Sequence, residues 1–106
     1  MPISDIILEC LKFVYQCDDI SDRGFSTRVG VERSYIRQLI DQWPNTDDVG
    51  SAEDRMLAIN NCLNEVCNGL RFPGDRWAAS FSVSRDEVYA AYAAWSAANG
   101  SRGGWM

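Results

Sequence analysis

The sequence predicts an all-α protein, a compact helical bundle of two tandem helix–loop–helix units. Three observations support this fold class. Apolar residues recur at three- and four-residue spacing in several segments. No stretch alternates apolar and polar residues over strand-forming side chains. The two halves of the chain also align with each other without a gap. A chain of 106 residues with 46% hydrophobic content fits one domain, residues 1–106, around one core.

A shift of 52 residues superimposes the first half of the sequence on the second. The match runs over about residues 6–43 and 58–95 and contains seven identical pairs: Ile7/Ile59, Cys10/Cys62, Leu11/Leu63, Val14/Val66, Val31/Val83, Arg33/Arg85 and Trp43/Trp95. Other positions keep their apolar character, as with Phe25 and Trp77. The alignment predicts one unit used twice, made of a long helix, a loop, a short helical turn and a second helix.

The first unit is predicted to contain a helix near 4–16 and another near 33–43, with apolar faces on both. In the second unit the long helix is expected near 52–68, starting at Ser51 and stopping at Gly69. Its last helix has the capping-box pattern between Ser84 and Glu87. Turn residues from Pro44 to Gly50 join the units, and residues 99–106 are expected to form a mobile tail.

The chain contains no histidine, so the commonest general base and metal ligand are missing. No acidic pair lies in an apolar setting that would separate two carboxyl pKa values. We therefore expect no catalytic site, no cofactor and no metal. The cysteine spacing does not match a zinc site, and Cys10, Cys62 and Cys67 fall on apolar stripes, which indicates reduced core thiols. Without an export signal or a membrane-length apolar run, a cytoplasmic monomer that does not contact membranes is expected.

Negative charge is concentrated in the first half of the chain. Residues 1–54 carry eleven acids and five bases, whereas residues 55–106 carry four acids and five bases. Such a patch is either a solvated surface or a binding site for a basic protein, which it would attract electrostatically. Tryptophan beside it would suit an interface anchor or a core position. The predicted partner-binding residues are Asp18, Asp19, Asp22, Asp41, Trp43, Asp47, Asp48, Glu53 and Asp54.

Two segments, 30–36 and 82–88, are typical of the turn and second helix of a helix-turn-helix protein. That interpretation would place Arg33, Arg37 or Arg85 against DNA. The net charge of −5 opposes it, because binding to phosphates requires a basic footprint. A helix-turn-helix transcriptional regulator is the alternative function, and a structural adaptor is a third.

The run 63–69, the aromatic Trp77 and the segment 81–88 resemble small bacterial immunity proteins that are encoded beside polymorphic toxins, as in contact-dependent inhibition systems. Phe81-Ser82 departs from the family pattern of a small aliphatic residue followed by glycine, which the first half keeps as Val29-Gly30. The resemblance implies a protein that binds and neutralises a toxin domain, often a basic nuclease, by covering its active site or an adjacent surface. An acidic surface would suit that role.

Overall fold

A computed structural model describes residues 2–17, 20–69 and 74–99. These residues form an all-α bundle, so the predicted fold class is confirmed. The helices are α1 (Ile3–Gln16), α2 (Asp22–Val29), α3 (Arg33–Gln42), α4 (Ala52–Asn64), α5 (Gly74–Ser80) and α6 (Arg85–Asn99), and α4 continues into a π-helical segment (Glu65–Gly69). No helix in the described part of the chain has the length and apolar character needed to cross a membrane.

Local side-chain chemistry sets the helix ends. Ser21 Oγ accepts from the Gly24 N–H at 3.1 Å at the start of α2, and Ser51 Oγ accepts from the Asp54 N–H at 3.0 Å at the start of α4. The predicted capping box forms before α6, where Ser84 Oγ accepts from the backbone N–H of Glu87 at 3.2 Å. The α3 helix has no side-chain cap, as expected from a glutamate at its N-cap position.

A left-handed glycine makes the turn between α2 and α3. Gly30 has a φ of 86°, a conformation that side chains disfavour, and its N–H donates to the carbonyl of Ser26. A Cβ at this position would lie 2.9 Å from side-chain atoms of both Leu57 and Asn61. The turn therefore needs glycine both for its conformation and for its close approach to α4.

The two long helices, α1 and α4, pack against each other at the centre of the bundle. Helix α1 also contacts α3 and α6, and α4 also contacts α2 and α6. The fully buried side chains come from every described helix except α5, and they include Leu11, Val14, Phe25, Val29, Ile36, Leu39, Leu63 and Val88. One continuous core therefore joins the two halves of the chain.

Two of the three pairs of helix starts lie at matching positions, whereas α1 and α4 begin at residues 3 and 52, which are 49 residues apart. Helices α2 and α5 begin at residues 22 and 74, and α3 and α6 begin at residues 33 and 85, so both pairs are 52 residues apart. A side-chain contact is repeated as well. The Arg33 guanidinium lies 4.5 Å from the centre of the Phe25 ring, and that of Arg85 lies 4.7 Å from the Trp77 ring. Both observations agree with the alignment of the halves.

Several predicted details were wrong. The long helix of the second half was expected to stay α-helical to residue 68, but it widens into the π-helical segment from Glu65. The Glu65 carboxylate is buried there and binds Arg28 at 2.5 Å. The expected short helical turns are helices of eight and seven residues. The tail was expected to begin at residue 99, but Asn99 is the last residue of α6; the rest of the predicted tail, residues 100–106, lies outside the described residues.

All four thiols are buried and unbonded, including Cys17, which the stripe pattern did not identify. Burial raises the pKa of Cys10 and of Cys62 far above the ordinary value, and it raises the pKa of Cys67 to about 11. Cys10, Cys62 and Cys67 are therefore protonated at neutral pH and act as small apolar side chains.

Candidate protein-interaction surface

Five acidic residues are clustered at the junction of α3 and α4, and we call them the acidic surface: Asp41, Asp47, Asp48, Glu53 and Asp54. Each of them is exposed to solvent, as the sequence predicted. Asp41 accepts from Arg37 at 3.0 Å within α3. The other four form no ion pair with any lysine or arginine in the described ranges. The acidic surface thus keeps most of its negative charge available.

The loop that carries Asp47 and Asp48 is fixed by hydrogen bonds to its backbone. One terminal nitrogen of Arg55 lies 3.0 Å from the Asp47 carbonyl oxygen and 2.9 Å from that of Gly50. The hydroxyl of Tyr35 donates to the Val49 carbonyl at 2.7 Å. Since the backbone is held, a partner would lose little loop entropy on binding to these carboxylates.

The charge of Arg55 is directed at carbonyl groups, so it does not pair with the neighbouring carboxylates. Burial raises the pKa of the Tyr35 phenol, the Asp54 carboxylate raises it further, and Arg55 lowers it.

Glu53 and Asp54 occupy the first turn of α4, where the helix dipole favours negative charge. These two acids therefore also support the helix start, whereas Asp47 and Asp48 have no structural role of this kind.

A shallow groove of about 340 Å³ runs along the acidic surface between α3 and the loop that follows it. Gln38, Asp41, Gln42, Asp48 and Val49 line it. Four of these five residues carry an amide or a carboxylate oxygen, so the groove offers hydrogen-bond acceptors to a cationic side chain. Sequence analysis did not identify Gln38 or Gln42 as part of the surface.

Trp43 lies at one side of the acidic surface, and its environment favours a structural role. The side chain is partly buried, and its indole N–H lies 3.1 Å from both the carbonyl and the hydroxyl oxygen of Ser4. Trp43 therefore ties the end of α3 to the first turn of α1. Of the two roles considered for this tryptophan, packing against the bundle fits the geometry better than that of a free anchor.

Of the predicted binding residues Asp18, Asp19 and Asp22, the structure describes Asp22, which is not part of the acidic surface. Asp22 lies in the first turn of α2 and accepts from Arg33 at 2.8 Å, near the opposite end of α3 from Asp41. Its side chain remains 90% exposed. Asp18 and Asp19 lie outside the described residues. The structure thus brings together Asp41, Trp43 and the acids from 47 to 54, and it separates Asp22 from them.

The residues expected to reach DNA in the alternative interpretation are engaged within the protein. Arg33 donates to the Ile20 carbonyl at 2.5 Å and to the carbonyl of Tyr15, and it lies over the Phe25 ring. Arg37 pairs with Asp41 on the exposed face of α3. The backbone nevertheless has helix-turn-helix order, since α2, the turn at Gly30 and α3 follow one another directly.

Sequence reasoning missed Arg55 and Tyr35, which fix the acidic loop. One signal could have identified Arg55: it directly follows Glu53 and Asp54 and is the first base after Arg37. Among the described residues, no group of three or more cysteine, aspartate or glutamate side chains is arranged to hold a metal ion.

Comparison with known proteins gives no relative on which to base a function. No protein-family model, no curated protein and no solved structure matches the chain.

Proposed function

We propose that this chain is a binding protein of the immunity type, which neutralises a basic protein toxin through the acidic surface. The observation that carries the proposal is the pair Asp47 and Asp48, which form no ion pair within the described ranges and lie on a loop whose backbone is fixed by Arg55 and Tyr35. A pre-organised patch of one charge accelerates the encounter with a partner of opposite charge and fixes its orientation. A nuclease is a suitable partner because the cleft that binds nucleic acid is basic.

Asp47 and Asp48 are the best residues for testing this role. Their side chains are exposed and unpaired within the described ranges, and neither lies in a helix, so neutralising them should leave the fold unchanged. Reversal of Glu53 or Asp54 to lysine would be less informative, because a positive charge in the first turn of α4 opposes the helix dipole by about 0.3–1 kcal/mol.

The proposal predicts that an adjacent gene encodes the toxin, and the binding experiment uses the toxin domain of that gene product with its catalytic residue replaced. The double variant Asp47→Asn/Asp48→Asn should slow association several-fold at low salt and flatten its dependence on salt, with little change in dissociation. The control Ala78→Lys/Ala79→Lys shifts the net charge by the same amount at exposed positions of α5. Stopped-flow fluorescence measures both rates, and circular dichroism checks the fold.

A smaller effect of the α5 control would support a localised acidic site. Equal slowing by both double variants would show that only net charge matters, which would contradict the acidic surface as the site. If the domain does not bind, and co-expression of this chain does not restore the growth of cells that produce the active toxin, the immunity proposal is wrong.

The second candidate function is DNA binding, and the order of α2, Gly30 and α3 favours it. It predicts nanomolar affinity for duplex DNA at physiological salt, which Arg37→Ala would weaken and Asp47→Asn/Asp48→Asn would strengthen. Fluorescence anisotropy with a labelled duplex tests both predictions. The net charge of −5 leads us to expect no binding in that range.

A further inference from the structure

A second groove lies between the first turns of α1 and the N-terminal half of α6. Its lining is Ile3, Ile6, Glu87, Ala90 and Ala91, and its volume is about 240 Å³. All of these residues except Glu87 are apolar, so the groove has an apolar floor with one acidic group.

The apolar part of this groove is open to solvent. Ile3 is 42% exposed, and only Tyr89 is another large hydrophobic residue that the described chain leaves exposed. Ile6, which also lines the groove, is buried and belongs to the core, so the floor is continuous with the core. The alanines of α6 have short side chains, which leaves room for a branched side chain from outside. A concave apolar site of this kind gains binding energy when such a side chain covers it.

Each of the two helices that form the groove carries an acidic residue near it. Glu87 is part of its lining, and the exposed Asp5 lies in the same first turn of α1 as Ile3. Trp43 links this turn to the end of α3 through its hydrogen bonds with Ser4. The apolar groove and the end of α3, near Asp41, therefore lie at the same end of α1.

We infer that the groove between α1 and α6 binds an aliphatic side chain of the basic partner, set among that partner's lysines or arginines. This inference rests on the proposed function, and it adds the apolar anchor that Trp43 does not supply. Charge complementarity selects the occupant: acidic groups border the groove, so a cationic segment is attracted to it. A second copy of this chain, with its net charge of −5, is repelled. The acids lie beside the apolar contact, as polar rim groups lie beside an interface hot spot.

Two synthetic peptides test the groove without the natural partner. The first is a lysine-rich helical peptide with leucine at positions i, i+3 and i+7, and the second has serine at those positions. Fluorescence anisotropy at physiological salt measures their binding to the full chain. We expect the leucine peptide to bind about tenfold or more tightly than the serine peptide, as burial of an aliphatic side chain implies.

Matched substitutions on α6 locate the binding. Ala90→Gln fills the groove, and Ala93→Gln places the same side chain on an exposed position of the same helix outside the lining. Ala90→Gln should remove the advantage of the leucine peptide, and Ala93→Gln should keep it. Ile3→Ser should act in the same direction as Ala90→Gln.

Equal binding of the two peptides, or equal effects of Ala90→Gln and Ala93→Gln, would overturn the inference. Self-association that Ala90→Gln abolishes, measured by analytical ultracentrifugation, would also overturn it by assigning the groove to a second copy. The variant Asp47→Asn/Asp48→Asn separates the two proposals. If it weakens both peptides equally while Ala90→Gln has no effect, the groove fails and the acidic surface stands. If only Ala90→Gln has an effect, the acidic surface fails.

Discussion

Arg33 should be one of the most important polar side chains for stability. An arginine at the start of the second helix of a helix-turn-helix motif would ordinarily be expected to contact DNA. The Arg33 side chain is 22% exposed. It donates to the carbonyls of Tyr15 and Ile20, pairs with Asp22 and lies over the Phe25 ring. Replacement by alanine would remove the donor from two carbonyl groups, that of Tyr15 near the end of α1 and that of Ile20 in the loop that follows.

The loss can be estimated from these contacts. A hydrogen bond from a charged donor contributes about 1.5 kcal/mol, and there are two to carbonyl groups. The ring contact adds about 0.5–1 kcal/mol. The pair with Asp22 adds about 0.5 kcal/mol or less, because that carboxylate is exposed. We therefore expect Arg33→Ala to lower the free energy of unfolding by about 4 kcal/mol, which lowers Tm by roughly 15–20 °C in a domain of this size.

Arg37→Ala is the matched control, since it removes the same charge from the same helix. Arg37 is 58% exposed, pairs with Asp41 four residues away and lies 5.8 Å from the centre of the Tyr15 ring, and solvent weakens both contacts at this exposure. Urea denaturation followed by circular dichroism at 222 nm measures both variants. A difference of less than about 1 kcal/mol between them would refute the structural role of Arg33.

Three further changes test the core and the loop. Trp77→Phe keeps an aromatic ring but removes the 2.8 Å hydrogen bond to the buried Val83 carbonyl, so we expect a loss of about 1–3 kcal/mol in urea denaturation; an unchanged midpoint would contradict it. Gly50→Ala forces a side chain into a φ of 68° and places its Cβ 2.8 Å from the Tyr35 ring; it should cost about 1–3 kcal/mol by the same assay. The raised pKa of Cys67, about 11, means that the folded chain holds this proton while the unfolded thiol ionises near pH 8.5. Its contribution to stability is thus complete below about pH 8 and falls as the pH rises toward 11. A Cys67→Ala variant should show a shallower alkaline decrease in urea midpoint, and identical pH profiles would contradict this.

Helix positions were predictable because their signals are local. A serine oxygen reaches an amide only three residues ahead, so Ser51 and Ser84 marked the starts of α4 and α6 correctly. A left-handed turn likewise depends on one residue, Gly30. The exposure of Asp47 also followed from its position between helices. The sequence signal for each of these features lies within a few residues of the feature itself.

Contacts between distant parts of the chain could not be predicted in this way. An apolar stripe indicates which face of a helix is buried but does not identify the neighbouring helix. The indole of Trp43 contacts Ser4, 39 residues earlier, and this decides between a core and an interface role. The widening of α4 accompanies the pairing of Glu65 with Arg28, 37 residues away. Nothing in the sequence near either residue indicates these pairings.

The central packing of α1 against α4 determines how the molecule loses its structure. In a linear repeat array each unit contacts only its neighbours, and unfolding can begin at one end. Here the long helix of each half contributes to the core of the other, and α2 and α6 each contact the long helix of the opposite half. Separation of the halves would expose both long helices along their apolar faces. We therefore expect the described bundle to unfold as one cooperative unit, and a fragment cut between Pro44 and Gly50 to lose its fold without the complementary fragment.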